Sequence, residues 1–419
     1  MNVIIHSPLQ GGQIEAIPSK SQAHRLLICA ALADGPTKIK CTALSEDIEA
    51  TADCLRALGA HIDYDGKYFF VQPICSVRQG QTLRCRESGS TLRFMLPVAA
   101  ALGADCRFQL EGRLAQRPQG PLLKVLTEHG CTITELMPSY LEIHGQLQAG
   151  DFTLPGGVSS QFVSGLLMAA PRLKDSSRIF VSGALQSRPY VDLTLDALRT
   201  FRVPFEESEQ VFSVQSSAFQ SPGTVCVEGD WSNAAFWLCA GALSLKTVSC
   251  KGLKLSSVQG DKKIIELVRQ MGAQTQVHDD CVSVTRGELH GIEIDASDIP
   301  DLVPVLAAVA AQAAGETRIY NAGRLRLKES DRLQAVTQAL TALGADVQEK
   351  DDGLLIVGGA ALHGGIVDAC NDHRIAMMAA VAAVRCNGPV TVLGAQAVHK
   401  SYPAFWQHYA LLGGQVEEC

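Results

Sequence analysis

The chain reads as an α/β (α+β) protein of two domains, each made of three similar units around buried helices. Three observations predict that class. An Ala-rich apolar helical run recurs along the whole chain at a step of roughly 70 residues. Each run is entered from a short polar head: Ser19-Lys20-Ser21, Ser88-Gly89-Ser90, Ser159-Ser160-Gln161, Asp230-Trp231-Ser232, Ile299-Pro300-Asp301 and Asn371-Asp372-His373. In most units a second helical pattern then stops on a glycine before a strand, as in LRALGAHI, LTEHGCTI and LTALGADV. Glycine just past the last helical turn is the expected stop signal.

Taken in order, the first unit predicts a helix over 19–33, a strand over 37–41 and a helix over 45–58. A hairpin over 61–63 and 68–72 follows, turning at Asp65-Gly66, a pair suited to the tight turn between two strands. The next three units repeat the apolar helix behind Ser88, Ser159 and Asp230. The third breaks the glycine rule, its second helix running LRTFRVPF. The fifth matches the first: a helix from Asp301, a strand over 317–320, a helix over 328–343 and a hairpin turning on Asp352-Gly353. The sixth stops after GQVEEC, one strand short, and the strand over 2–6 can supply it. The N-terminus then belongs to the last domain, and the chain crosses near Pro18 and Glu228. This gives domains of 19–227 and of 1–18 with 228–419. A continuous solenoid is the alternative, and the small apolar helices and borrowed strand argue against it.

Composition narrows the function. The 419 residues are 47% hydrophobic and 19% charged, with a formal net charge of −7. The pI near 5.9 does not suit a nucleic-acid or acidic-membrane partner. None of the fourteen cysteines is spaced C-x-x-C, and Cys29, Cys54 and Cys239 sit inside apolar runs. They read as buried thiols of a reducing compartment, so a cytoplasmic protein is expected. The opening MNVIIHSPLQ lacks the pattern of a signal peptide, and no stretch reaches the ~20 apolar residues of a membrane span.

The chemistry gathers at the helix heads. A helix amino end offers unpaired N–H groups and partial positive charge, which suits anions. Cations there oppose the dipole, yet Lys20, Arg117, Arg188, Lys328 and Lys400 all fall at expected helix starts. Singly, each has an ordinary explanation, a long side chain bent into water; as a set they favour an anion lying between them. Asp301, Glu329 and His373 share these positions and are acid–base candidates, with capping the plain alternative for the two acids. Neither zinc-ligand spacing nor a Walker-type phosphate loop is present. The sequence therefore points to a site without metal or cofactor, for a small, multiply anionic substrate.

The blocks P-S-K-S-Q-A-H-R (18–25), S-G-S-T-L-R (88–93), Q-R-P-Q-G (116–120), V-S-S-Q-F (158–162), S-R-P-Y (187–190), L-K-E-S-D-R (327–332), N-D-H-R (371–374) and H-K-S-Y-P (399–403) closely resemble the 5-enolpyruvylshikimate-3-phosphate synthase family. The likeness runs in order over nearly the whole chain. It implies two domains of three βαβαββ units, an inverse α/β barrel-like fold, with the active site in the cleft between them. It implies transfer of the enolpyruvyl group of phosphoenolpyruvate to the 5-hydroxyl of shikimate 3-phosphate by a cofactor-free monomer. On this resemblance Ser159, Ser160 and Ser187 hold the shikimate phosphate, Arg25 and Ser21 its carboxylate end, and Gln161 and Tyr190 line the ring. Phosphoenolpyruvate lies against Gly89, Arg117, Gln161, Arg332, Arg374 and Lys400. Asp301 is the base and Glu329 the acid, Lys20 and Lys328 flank the reacting oxygen, and His373 supports the phosphate or the acid. Three departures are expected to tune binding. Glu87 and Phe94 differ at the phosphoenolpyruvate loop, with a consequence for the family inhibitor glyphosate, and Arg324 stands where some members carry Asn near the shikimate ring. A sister transferase acting on UDP-N-acetylglucosamine carries a Lys-Asn pair where this chain has Lys20-Ser21, and so fits less well.

Overall fold

The computed structural model describes residues 1–136 and 139–419. Contacts divide the chain into two compact units, Met1–Ile17 with Glu228–Cys419, and Pro18–Val227. Among the described residues the strands form six four-stranded sheets, three in each unit. The sheets share one plan. An outer strand runs parallel to its neighbour, and two antiparallel strands follow, as in Gln81–Arg86, Cys106–Leu110, Tyr140–Gly145 and Cys131–Leu136.

Strand Val3–Ser7 lies between Asn387–Leu393 and Gln415–Glu418, antiparallel to both. It fills the place that Tyr140–Gly145 holds in the sheet just described. Two more strands are not evident from the sequence. Gly12–Glu15 pairs in parallel with Val248–Lys251, and Thr224–Cys226 with Thr37–Lys40. Both are short and largely exposed, so no run of apolar alternation marks them.

The polar heads work as caps. Ser19, Ser88 and Ser159 accept from backbone N–H groups at the starts of Lys20–Ala31, Gly89–Ala101 and Ser160–Ala169. Asp230 and Asp372 do the same for Trp231–Leu243 and His373–Ala382. Each such bond satisfies an N–H that the helix itself leaves open. The helix bodies are buried, and their small residues let backbones approach. A Cβ on Gly165 would lie 2.4 Å from the carbonyl oxygen of Arg93 on the neighbouring helix, so glycine is required there.

Several expected helix starts shift. Asp301 lies on a short 3-10 turn, Pro300–Leu302, ahead of the helix Val303–Ala310. The helix expected from 328 begins at Arg332, because the Asp331 side chain caps it and Lys328 is extended. Arg117 is likewise extended ahead of Gly120–Glu128, and Lys400 ends a 3-10 turn ahead of Phe405–Leu411. Only Lys20 and Arg188 among the five cations are first residues of α-helices. The dipole argument therefore holds for those two, while the other three reach from the segments before the helices. No helix among the described residues is long and apolar enough to cross a membrane.

Candidate active site

The Pro18–Val227 unit brings one group of candidate residues together at its three central helix heads. Lys20 Nζ donates to Asp47 Oδ2 at 2.8 Å. Arg25 is 1% exposed and bound by the protein's own oxygens. Its Nε donates to Thr194 Oγ1 at 2.7 Å, Nη1 to the Ser21 carbonyl at 2.6 Å, and Nη2 to the Tyr190 carbonyl at 2.7 Å and Ser164 Oγ at 3.3 Å. Burial pulls this guanidinium down to about 9. A substrate carboxylate reaches Arg25 only by displacing one of these acceptors or through its remaining Nη1 hydrogen. Phe94, 1% exposed, lies beneath it with the ring centre 4.9 Å from the guanidinium carbon. That departure thus serves the core under Arg25 and does not line a surface loop.

Arg93 binds Gln119 Oε1 at 3.1 Å, Gln161 Oε1 at 2.7 Å and the Pro118 carbonyl at 3.2 Å. Gln161 in turn donates to Ser90 Oγ at 2.8 Å. Arg117 lies flat against Gly89, where a Cβ would come within 2.7 Å of Nη1 and 2.9 Å of Cζ. Ser159 and Ser160 open the third central helix, and Ser187 adopts φ 55 just before Arg188. Such left-handed backbone is costly for serine and concentrates where function holds it. Glu87 packs over Gly112, whose Cβ position lies 2.5 Å from the Glu87 carboxyl carbon. Arg188 pairs with Asp192 at 2.7 Å and Glu207 at 2.5 Å.

The Met1–Ile17 and Glu228–Cys419 unit holds the acids. Asp301 Oδ1 accepts from Arg332 Nη1 at 2.9 Å and Oδ2 from Arg374 Nη2 at 2.8 Å, with Lys328 Nζ 3.9 Å away. Arg332 also binds Glu329 Oε2 at 2.8 Å and Asp372 Oδ2 at 2.8 Å. Asp372, fully buried, accepts further from Ser330 Oγ and the Arg374 N–H. His373 is buried beside it, 3.9 Å from Nδ1 to Asp372 Oδ1. Lys400 Nζ donates to the Asn371 carbonyl at 2.6 Å. Arg324 donates to the Ser297 carbonyl.

Burial alone would raise the Asp301 carboxyl, but Arg374, Lys328 and Arg332 outweigh it and hold Asp301 well below the usual range. Burial lowers the Lys328 ammonium to about 8 despite Asp301. An ionised carboxylate, a lysine lowered to about 8 and two arginine forks form one network. Such a site can accept a proton while steadying a carboxylate or phosphate. Arg93, Asp47 and Asp372, which bind the candidate residues Gln161, Lys20 and Arg332, are neighbours that sequence reasoning left without a role. Arg93 ends one quoted motif and Asp372 lies inside another, whereas nothing local marks Asp47.

A family profile described as EPSP synthase (3-phosphoshikimate 1-carboxyvinyltransferase) matches residues 5–409. A 3-phosphoshikimate 1-carboxyvinyltransferase of Clostridium kluyveri is 42% identical over 410 residues, covering 97% of this chain and 96% of the relative. One from Clostridium acetobutylicum is 42% identical over 417 residues, with the same coverage of 97% and 96%. A solved EPSP synthase from Acinetobacter baumannii covers 100% of both chains with a TM-score of 0.82 at 24% identity, a likeness of fold. The enolpyruvyl transferase NikO from Streptomyces tendae shares that fold, with a TM-score of 0.79 at 20% identity over 99% of this chain and 98% of that one.

Proposed function

Since the chain belongs to the EPSP synthase (3-phosphoshikimate 1-carboxyvinyltransferase) family of transferases, we propose that it transfers the enolpyruvyl group of phosphoenolpyruvate to the 5-hydroxyl of shikimate 3-phosphate. Phosphate is released, and the step serves aromatic amino acid biosynthesis. The reaction is addition followed by elimination. Asp301 takes the hydroxyl proton as the oxygen attacks C2 of phosphoenolpyruvate, and Glu329 protonates the methylene carbon to a methyl group. In the second step a methyl proton returns, the double bond reforms, and phosphate leaves from C2.

Ser159, Ser160 and Ser187 bind the shikimate phosphate. Ser21 and Arg25 take the carboxylate end, and Gln161 and Tyr190 line the ring. Gly89, Arg117, Gln161, Arg332, Arg374 and Lys400 receive phosphoenolpyruvate, with Lys20 and Lys328 beside the reacting oxygens and His373 supporting the phosphate. The observation that carries this reading is the double tether of Asp301 by Arg332 and Arg374. A carboxylate so held is a weak base. An incoming anion that draws on the same two guanidiniums loosens the tether and raises the basicity of Asp301 when substrate is in place.

The test is phosphate release from phosphoenolpyruvate with shikimate 3-phosphate, set beside UDP-N-acetylglucosamine as acceptor. Release with shikimate 3-phosphate alone is expected; none from folded protein overturns the assignment. The two residue groups belong to different units, and the proposal has both engage the same substrates. Small-angle scattering should show compaction when shikimate 3-phosphate is added. We take the enzyme to be a cytoplasmic monomer; the compartment is supported by cysteines that form no disulfide among the described residues.

A further inference from the structure

Beside the acids lies a carboxyl that no step of the proposed reaction uses. Asp261, on the 3-10 turn Gly260–Lys263, is 2% exposed. Its Oδ2 accepts a hydrogen bond from Ser232 Oγ, and its buried Oδ1 has no hydrogen-bond partner among the described residues. Ser232 stands in the first turn of Trp231–Leu243, and its carbonyl accepts from Arg374 Nη1 at 3.4 Å. The other nitrogen of Arg374 holds Asp301 at 2.8 Å. Asp261, Ser232, Arg374 and Asp301 are therefore connected in series.

The charged groups around Asp261 are few. Asp230 caps the helix that carries Ser232, Asp301 lies on the turn before Val303–Ala310, and Arg374 stands on His373–Ala382. On its own turn, Lys262 donates to the carbonyls of Leu255 and Ser257. Asp301 thus binds the Arg374 guanidinium directly, while Asp261 is linked to it through Ser232 and feels its charge through space. An ionised, buried oxygen without a donor is costly, and a proton removes that cost. Burial, then Asp301, push the Asp261 carboxyl up to about 7 against the pull of Arg374.

We propose that Asp261 is a positioning residue that sets how much of the Arg374 charge is offered to an anionic substrate. Neutral, it leaves the guanidinium to the incoming anion; ionised, it competes with that anion. The proposal rests on the assignment of Arg374 to phosphoenolpyruvate made above.

The test compares kcat/KM for phosphoenolpyruvate between pH 6 and 8.5 in wild type and Asp261→Asn. Only wild type gains opposing charge as pH rises, so the variant-to-wild-type ratio should climb several-fold across that range. A merely structural role gives a ratio that does not change with pH. Ser232→Ala removes a donor that favours the ionised form, and should move the wild-type transition to higher pH. A second readout needs no substrate. The folded wild-type carboxyl keeps its proton up to about 7, whereas the unfolded one ionises near ~4. Folding therefore loses stability through this group as pH rises between those values. The Tm of Asp261→Asn relative to wild type should accordingly increase from pH 5 to pH 8. A flat ratio, an unmoved transition or a constant Tm difference overturns the proposal. Wild type that releases no phosphate at any pH would instead overturn the proposed reaction. The Kd for phosphoenolpyruvate over the same pH range, in wild type and Asp261→Asn, then decides on Asp261.

Discussion

Gly89 is the position where one methyl group should matter most. A Cβ there would press on the Arg117 guanidinium, and overpacking of this kind costs about 1–3 kcal/mol. Gly89→Ala should therefore raise KM for phosphoenolpyruvate roughly tenfold or more, while KM for shikimate 3-phosphate changes little; steady-state kinetics with each substrate varied in turn checks this. Glu329→Gln keeps an acceptor for Arg332 but removes the acidic proton that would be given to the methylene carbon. Turnover should fall by about 10²–10⁴, with little change in substrate affinity measured by calorimetry. Lys328 gives a pH prediction. Its ammonium, lowered to about 8 by burial, loses its charge as pH rises through that value. The alkaline limb of kcat should lie near there, and Lys328→Arg should move it upward, since a guanidinium stays charged.

At the scale of elements, Asp372 ties a helix cap to the site. It accepts from the Arg374 N–H, Ser330 Oγ and Arg332 Nε. Asp372→Ala removes the cap and leaves buried Arg332 short of a partner. Breaking a buried pair in this way costs about 3–5 kcal/mol, which urea denaturation would read as a lower midpoint. The hairpin expected to turn on Asp352-Gly353 turns on Asp351-Asp352, because Gly353 already pairs with Lys350 in the returning strand. The repeats, the hairpin turn on Asp65-Gly66, and the strand lent to the sixth unit were legible in the sequence. Each leaves a local mark: apolar spacing, a turn pair, or a missing copy. The start of the helix after Lys328 was not, because either Lys328 or Asp331 could open it, and the Asp331 side chain decides. Gly12–Glu15 and Thr224–Cys226 were hidden because backbone pairing holds them without an apolar pattern. In the site, the motifs marked the arginines and the helix head Ile299-Pro300-Asp301 marked Asp301, and their family roles came from the resemblance. The links through Asp372, Ser232 and Asp261 join residues far apart in sequence, which no spacing rule can reveal.

For the whole molecule, the two units differ in continuity. Pro18–Val227 is one uninterrupted stretch with its own apolar core from Ala23 to Phe219. Expressed alone it should unfold cooperatively, as circular dichroism on heating would show. A fragment of 228–419 lacks two strands of its sheets, Val3–Ser7 and Gly12–Glu15. It should stay incompletely folded until a peptide of residues 1–17 is added, and saturable recovery of signal would measure that rescue. The interior place of Val3–Ser7 also bears on synthesis in the cell. The segment is translated before the whole of Pro18–Val227, whereas its partners at Asn387–Leu393 and Gln415–Glu418 come after that unit. While Pro18–Val227 can fold as it is translated, this early segment waits with unpaired edges until both partners have emerged. The closure of its unit thus comes late, and the nascent chain's need for chaperones should concentrate there.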